Sequence, residues 1–239
     1  MNHCPKSHWK QRLLLGAALF VASALSGLPA QAQVGPTAAE AAQYQGLHAA
    51  AWRGDAPKIE KLAATGANLN ARDSHGRTPL HVATFARQRG AVRALMKAGA
   101  DINLLENDRY DGVTIAAVAD DEETLRVLLS LGASAKQVTS RYDGTALIAA
   151  AHLGHDGVVR QLIAAGAPLD HVNNLHWTAV IEAIVLGDGG PRHQATLKAL
   201  LDAGASLKLA DRQGQTPLQL ARARGYKDMV KMLETAGAK

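Results

Sequence analysis

Four histidines in the second half of the chain have residue types and spacings that could bind a metal ion. His152 and His155 are separated by two residues, and His171 and His176 follow them. Neutral imidazole is a common zinc ligand. The helix pattern described below places the first pair at the far end of one helix and the second pair in the next turn, about ten residues of 1.5 Å rise away. We therefore expect neither a metal site nor a cofactor.

The acidic run Asp120-Asp121-Glu122-Glu123 could hold calcium or dock a basic partner. It also falls at the predicted start of a helix. Acidic side chains at that position accept hydrogen bonds from free backbone amides and complement the helix dipole. We favour this capping role over a binding site.

The sequence gives little support for catalysis. Its one cysteine, Cys4, lies near the amino terminus, and the chain has no Gly-x-Ser-x-Gly, no phosphate-binding glycine loop and no His-Glu-x-x-His. We predict that the protein is not an enzyme. A hydrolase is the least favoured alternative, and activity lost on changing His152 or Asp121 would be its signature.

The first 32 residues have the form of a secretory signal peptide. Basic residues precede an apolar run of 16 residues, 13–28, and Ala30-Gln31-Ala32 is typical of a signal peptidase site. The run is shorter than the roughly 20 apolar residues of a membrane span. We predict cleavage after Ala32, a linker over residues 33–39, and a periplasmic or secreted location in a bacterium.

Removing that segment also removes most of the charge imbalance. The remaining chain has 23 basic and 21 acidic residues, against 26 and 21 in the whole sequence. Binding to nucleic acid depends on a basic surface. We therefore expect no nucleic-acid partner.

A repeated Gly-Ala pair organises the rest of the chain. It begins at residues 66, 99, 132, 166, 204 and 237, at intervals of 33, 33, 34, 38 and 33 residues. Two apolar, helix-like runs precede each pair. This period is typical of a solenoid in which each unit buries its apolar face against its neighbours.

The two most complete copies contain Asp73-Ser74-His75-Gly76-Arg77-Thr78-Pro79-Leu80-His81 and Asp211-Arg212-Gln213-Gly214-Gln215-Thr216-Pro217-Leu218. They resemble the ankyrin repeat, whose closing motif is similar to Gly99-Ala100-Asp101-Ile102-Asn103. The resemblance implies an all-α solenoid over 40–239, built of helix pairs joined by β-hairpin turns. It has about six repeats, at approximately 40–72, 73–105, 106–138, 139–172, 173–210 and 211–239.

Three departures from the repeat pattern are informative. Asp120 replaces the glycine that usually ends the first helix, and the register of the third repeat is ambiguous by two residues. The fifth repeat has extra residues around Gly187 to His193, which we interpret as a lengthened surface turn that either is tolerated or has a function. Tyr226 occupies a position that we interpret as structural.

The resemblance also implies a binding surface, the concave face of hairpin tips and first helices. Six of the seven aromatic residues after residue 32 fall on these positions. Aromatic and arginine side chains dominate protein-binding hot spots. The alternative is that the aromatics only cover neighbouring repeats. The predicted partner-binding residues are Tyr44, Trp52, Arg53, Arg77, Phe85, Tyr110, Arg141, Tyr142 and Trp177.

We expect an exported, monomeric protein-interaction module that binds an envelope or periplasmic protein, as a scaffold, an accessory factor or an immunity factor. The alternative is a protein that binds a small ligand, a lipid or a cell-wall fragment. A deep apolar pocket between the hairpins would favour that alternative.

Overall fold

The computed structural model describes residues 33–239, so the predicted signal peptide, its cleavage site and Cys4 lie outside the described residues. Six antiparallel helix pairs follow one short helix, α1. None of the described helices is long and apolar enough to cross a membrane. The elements are α1 (Ala38–Gln43), α2 (Gly46–Arg53), α3 (Ala56–Ala64), α4 (Pro79–Phe85), α5 (Arg89–Ala98), α6 (Gly112–Val118), α7 (Glu122–Ser130), β1 (Val138–Thr139), β2 (Gly144–Thr145), α8 (Ala146–Leu153), α9 (Asp156–Ala164), α10 (Ala179–Val185), α11 (Pro191–Asp202), α12 (Pro217–Ala223) and α13 (Lys227–Thr235).

The first helix of most pairs begins at a capping side chain. Thr78 and Thr216 accept hydrogen bonds from the backbone amide three residues ahead, and proline follows each of them. Proline suits this position because the amide that it lacks has no partner inside the helix. Asp111 takes the same role for α6 by accepting from the Thr114 amide. The cap fixes the register of the third repeat with Asp111 in the threonine position.

Left-handed residues end several of these helices. Gly54 and Gly154 have φ of 73° and 68°, while Asp120 takes the equivalent position with φ of 52°. Aspartate adopts this conformation more readily than most side chains. The expectation that Asp120 replaces glycine there is confirmed.

The core is continuous along the stack and is made largely of small residues. Ala50, Ala83, Ala117 and Ala151 of successive first helices are fully buried, as are leucines such as Leu95 and Leu128 of the second helices. Alanine lets neighbouring helices approach closely. Each first helix packs on the next one, α2 on α4 and α8 on α10, and the second helices form a parallel layer.

Backbone hydrogen bonds join successive hairpins. The amides of Asn107, Ser140 and Asn174 donate to the carbonyls of His75, Arg109 and Tyr142, at 2.9 to 3.0 Å. Within the described chain one hairpin also forms a regular strand pair, in which Val138 faces Thr145 across β1 and β2. This ladder fixes the hairpin tips relative to one another.

Two segments differ from the simplest sequence pattern. Helix α1 begins at Ala38, inside the predicted linker, because Thr37 and Glu40 form a reciprocal capping box. In the fifth repeat the extra residues lengthen α11, which starts at Pro191, rather than only a turn. Arg192 then reaches back to the Gly154 carbonyl, and Tyr226 donates to the Gly187 carbonyl at 2.8 Å. The structural interpretation of Tyr226 is confirmed.

Candidate functional site

The candidate site is the face formed by the hairpin tips and the ends of the first helices, called the groove face below. In repeats 4 and 5 it presents exposed apolar side chains at equivalent positions. Tyr142 and Leu175 lie three residues before the first-helix caps, and Leu153 and Leu186 lie eight residues after them. Because α8 packs on α10, these positions are neighbours in the stack.

Residues 33–44 lie over the same face in the first two repeats. The Gly35 backbone packs on the Phe85 ring, so closely that a β-carbon added there would lie 3.0 Å from Phe85 Cδ1. The Glu40 carboxylate contacts Arg77 and His75 at 3.0 and 2.7 Å. The chain's own segment therefore occupies this end of the groove face.

Arg77 is buried, with 2% of its surface exposed. Its guanidinium contacts Asp73 at 2.7 Å and Glu40 at 3.0 Å. The structure therefore places Arg77, predicted to contact a partner, in contacts within the chain. Its charge instead holds together the first hairpin and α1, because a buried guanidinium requires paired carboxylates.

Tyr44 and Phe85 are also engaged within the chain. The Tyr44 hydroxyl donates to Asp73 at 2.7 Å, and its ring lies against His48 with centroids 5.4 Å apart. Burial and the neighbouring Asp73 raise the pKa of Tyr44 above its ordinary range. Phe85 is half-buried beneath Gly35. Both fit the alternative that these aromatics cover neighbouring parts of the chain.

The other predicted residues retain some exposed surface. Trp52 and Trp177 are half-buried and pack against the core, and burial raises the pKa of the half-buried Tyr110. Arg53 and Arg141 are exposed, and Arg141 lies 3.7 Å from Asp108. Tyr142 is the most exposed aromatic residue of the nine, at 44%.

Glu182 is an acid that the sequence analysis did not single out. It lies on α10 at the position occupied by Val82 and Leu220 in repeats 2 and 6, and it is 4% exposed. Its Oε1 accepts from Asn173 Nδ2 at 3.0 Å, whereas the buried Oε2 accepts no hydrogen bond. A lone glutamate inside an apolar helix is the sequence signal for this site.

The surroundings of Glu182 favour its neutral form. Burial raises its pKa to about 7, against the opposing hydrogen bond from Asn173. His152 Nδ1 lies 3.6 Å from Oε2. Burial lowers the pKa of His152, so this ring is neutral at pH 7 and the proximity is not an ion pair.

Asn173 explains how the acid is tolerated. The equivalent residues Asp73 and Asp211 accept hydrogen bonds from hairpin amides, and Asn173 Oδ1 does the same for the amides of Leu175 and Trp177. Unlike an ionised aspartate, the asparagine amide can also donate to Glu182. In the fifth repeat the hairpin residue Asn173 and the α10 residue Glu182 are therefore a complementary hydrogen-bonded pair.

Two of the four histidines whose spacing could suit a metal ion bind backbone carbonyls instead. His155 Nδ1 donates to the Ala117 carbonyl and His171 Nε2 to the Asp143 carbonyl. Among residues 33–239, no group of three or more histidine, aspartate or glutamate side chains is arranged to hold a metal ion. Asp121 caps α7 and accepts from Arg89, which confirms the capping role of the acidic run.

Two shallow clefts lie between neighbouring second helices. One is lined by residues such as Ile163 and Ala199 of α9 and α11, and the other by Arg93 and Val127 of α5 and α7. Both are lined by residues of the second helices and their ends. Neither is the deep pocket between hairpins that would favour a small ligand.

Stacked helix pairs joined by a ladder of hairpins, with side chains displayed along one face, define a repeat solenoid of the protein-interaction class. Models of ankyrin repeats in multiple copies match residues 21–106, 113–211 and 191–234. The chain belongs to the ankyrin repeat family.

Known ankyrin repeat proteins match most of this chain in sequence or in structure. The ankyrin repeat protein YahD of Escherichia coli (strain K12) is 38% identical over 190 residues, which are 79% of this chain and 94% of that protein. An ankyrin repeat domain from Acinetobacter baumannii AYE is 46% identical with a TM-score of 0.76, covering 81% of this chain and 98% of the other. The ankyrin repeat domain of Bcl-3, of the IkappaB family, is 27% identical with a TM-score of 0.74, covering 82% and 88%. These names include no catalytic family.

Proposed function

We propose that this protein is an exported, monomeric and non-catalytic adapter that binds an envelope or periplasmic protein through the groove face of repeats 4 and 5. The observation that supports this site is the concentration of exposed apolar residues. Four of the seven large apolar side chains exposed in residues 33–239 form two rows on this face: Tyr142 and Leu175 in the hairpins, and Leu153 and Leu186 at the ends of the first helices. Exposed apolar patches of this kind usually mark a binding surface.

The predicted residues fit this site unequally. Tyr142, Trp177 and Arg141 lie in the hairpins of repeats 4 and 5 and belong to it. Tyr110, Trp52 and Arg53 extend it toward the amino-terminal end. Tyr44 and Arg77 contact Asp73, and Phe85 packs against Gly35. Because these contacts lie within the chain, we place the three residues outside the partner surface.

A small ligand is the second candidate, and the clefts argue against it. Both lie between second helices and are shallow and open to solvent rather than enclosed. Pockets for lipids or similar ligands are concave and predominantly apolar. A protein partner fits the extended apolar rows of the groove face better.

The partner site is tested by crosslinking capture from envelope extract with residues 33–239. The test variant is Tyr142→Ala, Leu153→Ser and Leu186→Ser together. The matched control is Val138→Ser with Val172→Ser, because these side chains are similarly exposed but lie in neither row. We expect the wild type and the control to capture the same discrete protein and the test variant to lose it, with both variants folded by circular dichroism.

Two outcomes would contradict the proposal. Capture of the same partner by all three proteins would show that the groove face of repeats 4 and 5 is not the interface. Failure of the wild type to capture any protein, together with a co-purified small molecule, would favour the ligand-binding alternative.

Export is tested separately. The full sequence is expressed in a bacterium with two membranes, and the periplasmic fraction is analysed by intact mass. We expect a mature chain that begins at Gln33. A full-length product retained in the cytoplasm would show that the signal peptide and the localisation are wrong.

A further inference from the structure

The carboxylate of Glu182 is unusual in this molecule because one of its two oxygens has no partner. Oε2 is buried and accepts no hydrogen bond, whereas Asp73, Asp111 and Asp121, which are also well shielded, are held by side-chain or backbone donors. A buried acceptor without a donor destabilises a fold. Glutamate at this position therefore requires an explanation other than stability.

We propose that Glu182 Oε2, beside His152 Nδ1, is the anchor site for the primary ammonium of a lysine side chain in an apolar segment of the partner. The proposal rests on the proposed function, because the site lies beside the apolar rows of repeats 4 and 5. The bound lysine gives Oε2 the donor that it lacks within the chain.

The available oxygens favour an ammonium over a guanidinium. Asn173 occupies Oε1, so the carboxylate has one oxygen left for an incoming group. Arginine recognition of carboxylates commonly uses two parallel hydrogen bonds to both oxygens. An ammonium is a compact donor that requires only one of them.

His152 supports the same assignment. Its ring lies 3.6 Å from the buried Oε2, and 30% of its side chain is exposed to solvent. A rotamer change of such a side chain is fast and opens a path to Oε2. The neutral ring does not repel a cation, and its unprotonated nitrogen can accept a hydrogen bond from the ammonium. The His152 side chain is the only basic group paired with Glu182 among the described residues.

The neighbouring apolar residues suit the rest of a lysine side chain. Leu153 follows His152 on α8, and Leu186, the residue that caps the end of α10, lies one turn beyond Glu182, both exposed. Lysine buries its aliphatic stem along apolar surface while its charge finds a polar partner. Burial raises the pKa of Glu182 to about 7, so the carboxylate is partly ionised at neutral pH and a cation completes its ionisation.

The test uses a displayed library of random dodecapeptides selected on residues 33–239 at pH 7.5. We expect selected peptides that place a lysine between apolar residues. For one such peptide, lysine is replaced by norleucine or by arginine, and affinity is measured by calorimetry. On the wild type, norleucine should weaken binding at least tenfold, and arginine should weaken it by a smaller factor.

The decisive variant is Glu182→Gln, which keeps the acceptor for Asn173 but removes the negative charge. It should bind the lysine and norleucine peptides with affinities that differ less than threefold. Glu60→Gln, an exposed glutamate on α3, is the matched control and should preserve the tenfold preference. A lysine preference that persists in Glu182→Gln would overturn the anchor site.

Failure of the anchor and failure of the proposed function give different results. Peptides that bind the wild type, are lost on Tyr142→Ala and show no lysine preference would overturn the anchor and leave the binding face intact. A wild type that selects no peptides would count against both. If Glu182→Gln fails to fold, the affinities of the lysine, norleucine and arginine peptides for the wild type still test the proposal. Equal affinities of the three peptides would overturn it.

Discussion

Buried ionisable side chains on the groove face are fully paired in repeats 1 and 2, but not in repeats 4 and 5. Over repeats 1 and 2, the guanidinium of Arg77 is enclosed by the carboxylates of Asp73 and Glu40, and residues 33–44 cover the site. In repeats 4 and 5, the Glu182 carboxylate keeps an unpaired oxygen, and apolar residues remain exposed around it. The satisfied polar cluster stabilises the solenoid, whereas the unsatisfied carboxylate destabilises it and lies within the partner surface that we propose.

The same contrast appears in how the acids titrate. Hydrogen bonds from Thr37 and the nearby Arg77 lower the pKa of Glu40 to about 2, and bonds from Tyr44 and Arg77 lower that of Asp73 despite its burial. Burial raises the pKa of Glu182 to about 7. At neutral pH the first group stabilises the fold by being ionised, and the second destabilises it.

The largest effect is expected at Arg77. Replacement by alanine leaves Asp73 and Glu40 without their shared cation, and breaking a buried pair costs about 3 to 5 kcal/mol. Arg141→Ala is the matched control, because its exposed pair should cost about 1 kcal/mol or less. Urea denaturation of residues 33–239 measures both. Equal losses would show that the two ends of the groove face do not differ in this way.

The next largest effect is a stability change that depends on pH at Glu182. The folded pKa of Glu182, about 7, lies above the unfolded value of 4.5. The free energy of unfolding therefore decreases as pH rises from 4.5 through 7. Glu182→Gln should therefore be more stable than the wild type at pH 8 by about 3 kcal/mol and close to it at pH 5.

Urea denaturation at pH 5 and pH 8 checks this prediction, with Glu60→Gln as the control that should show no such difference. A Glu182→Gln effect of the same size at both pH values would show that the Glu182 carboxyl is not forced toward its neutral form.

Repeat spacing predicted the fold well because each unit repeats its own local signals. Thr78-Pro79 begins a helix and Gly99 ends one by rules that operate within a few residues. The roles of the residues on the groove face were harder to predict from the sequence. The exposure of Arg77 depends on whether residues 33–44 lie over it. The position of Arg77 in the repeat pattern does not by itself indicate this. Glu182 depends on a partner nine residues away, Asn173, and on burial by neighbouring repeats.

Tyr226→Phe tests whether the extended fifth repeat is tied to the stack. The change removes the hydroxyl that donates to the Gly187 carbonyl at 2.8 Å and keeps the ring. Loss of one such bond should cost about 1 kcal/mol in the free energy of unfolding. Hydrogen exchange should also show faster opening at residues 187–190 than in the wild type. Unchanged exchange there would show that Tyr226 does not restrain the insertion.

The smallest effect is expected for Glu40→Gln, which separates the charge of this side chain from its capping role. Glutamine preserves the capping box with Thr37 but not the ion pair with Arg77. Because part of Glu40 is exposed, we expect a loss of about 0.5 kcal/mol at pH 7. The folded pKa of about 2 lies below the unfolded value, so the advantage of the wild type is present above pH 4.5 and disappears as pH falls toward 2. Urea denaturation at pH 7 and pH 2.5 measures this. At neutral pH the Glu40→Gln and Glu182→Gln changes should thus have opposite signs, and a shared sign would remove the electrostatic distinction between the two ends of the groove face.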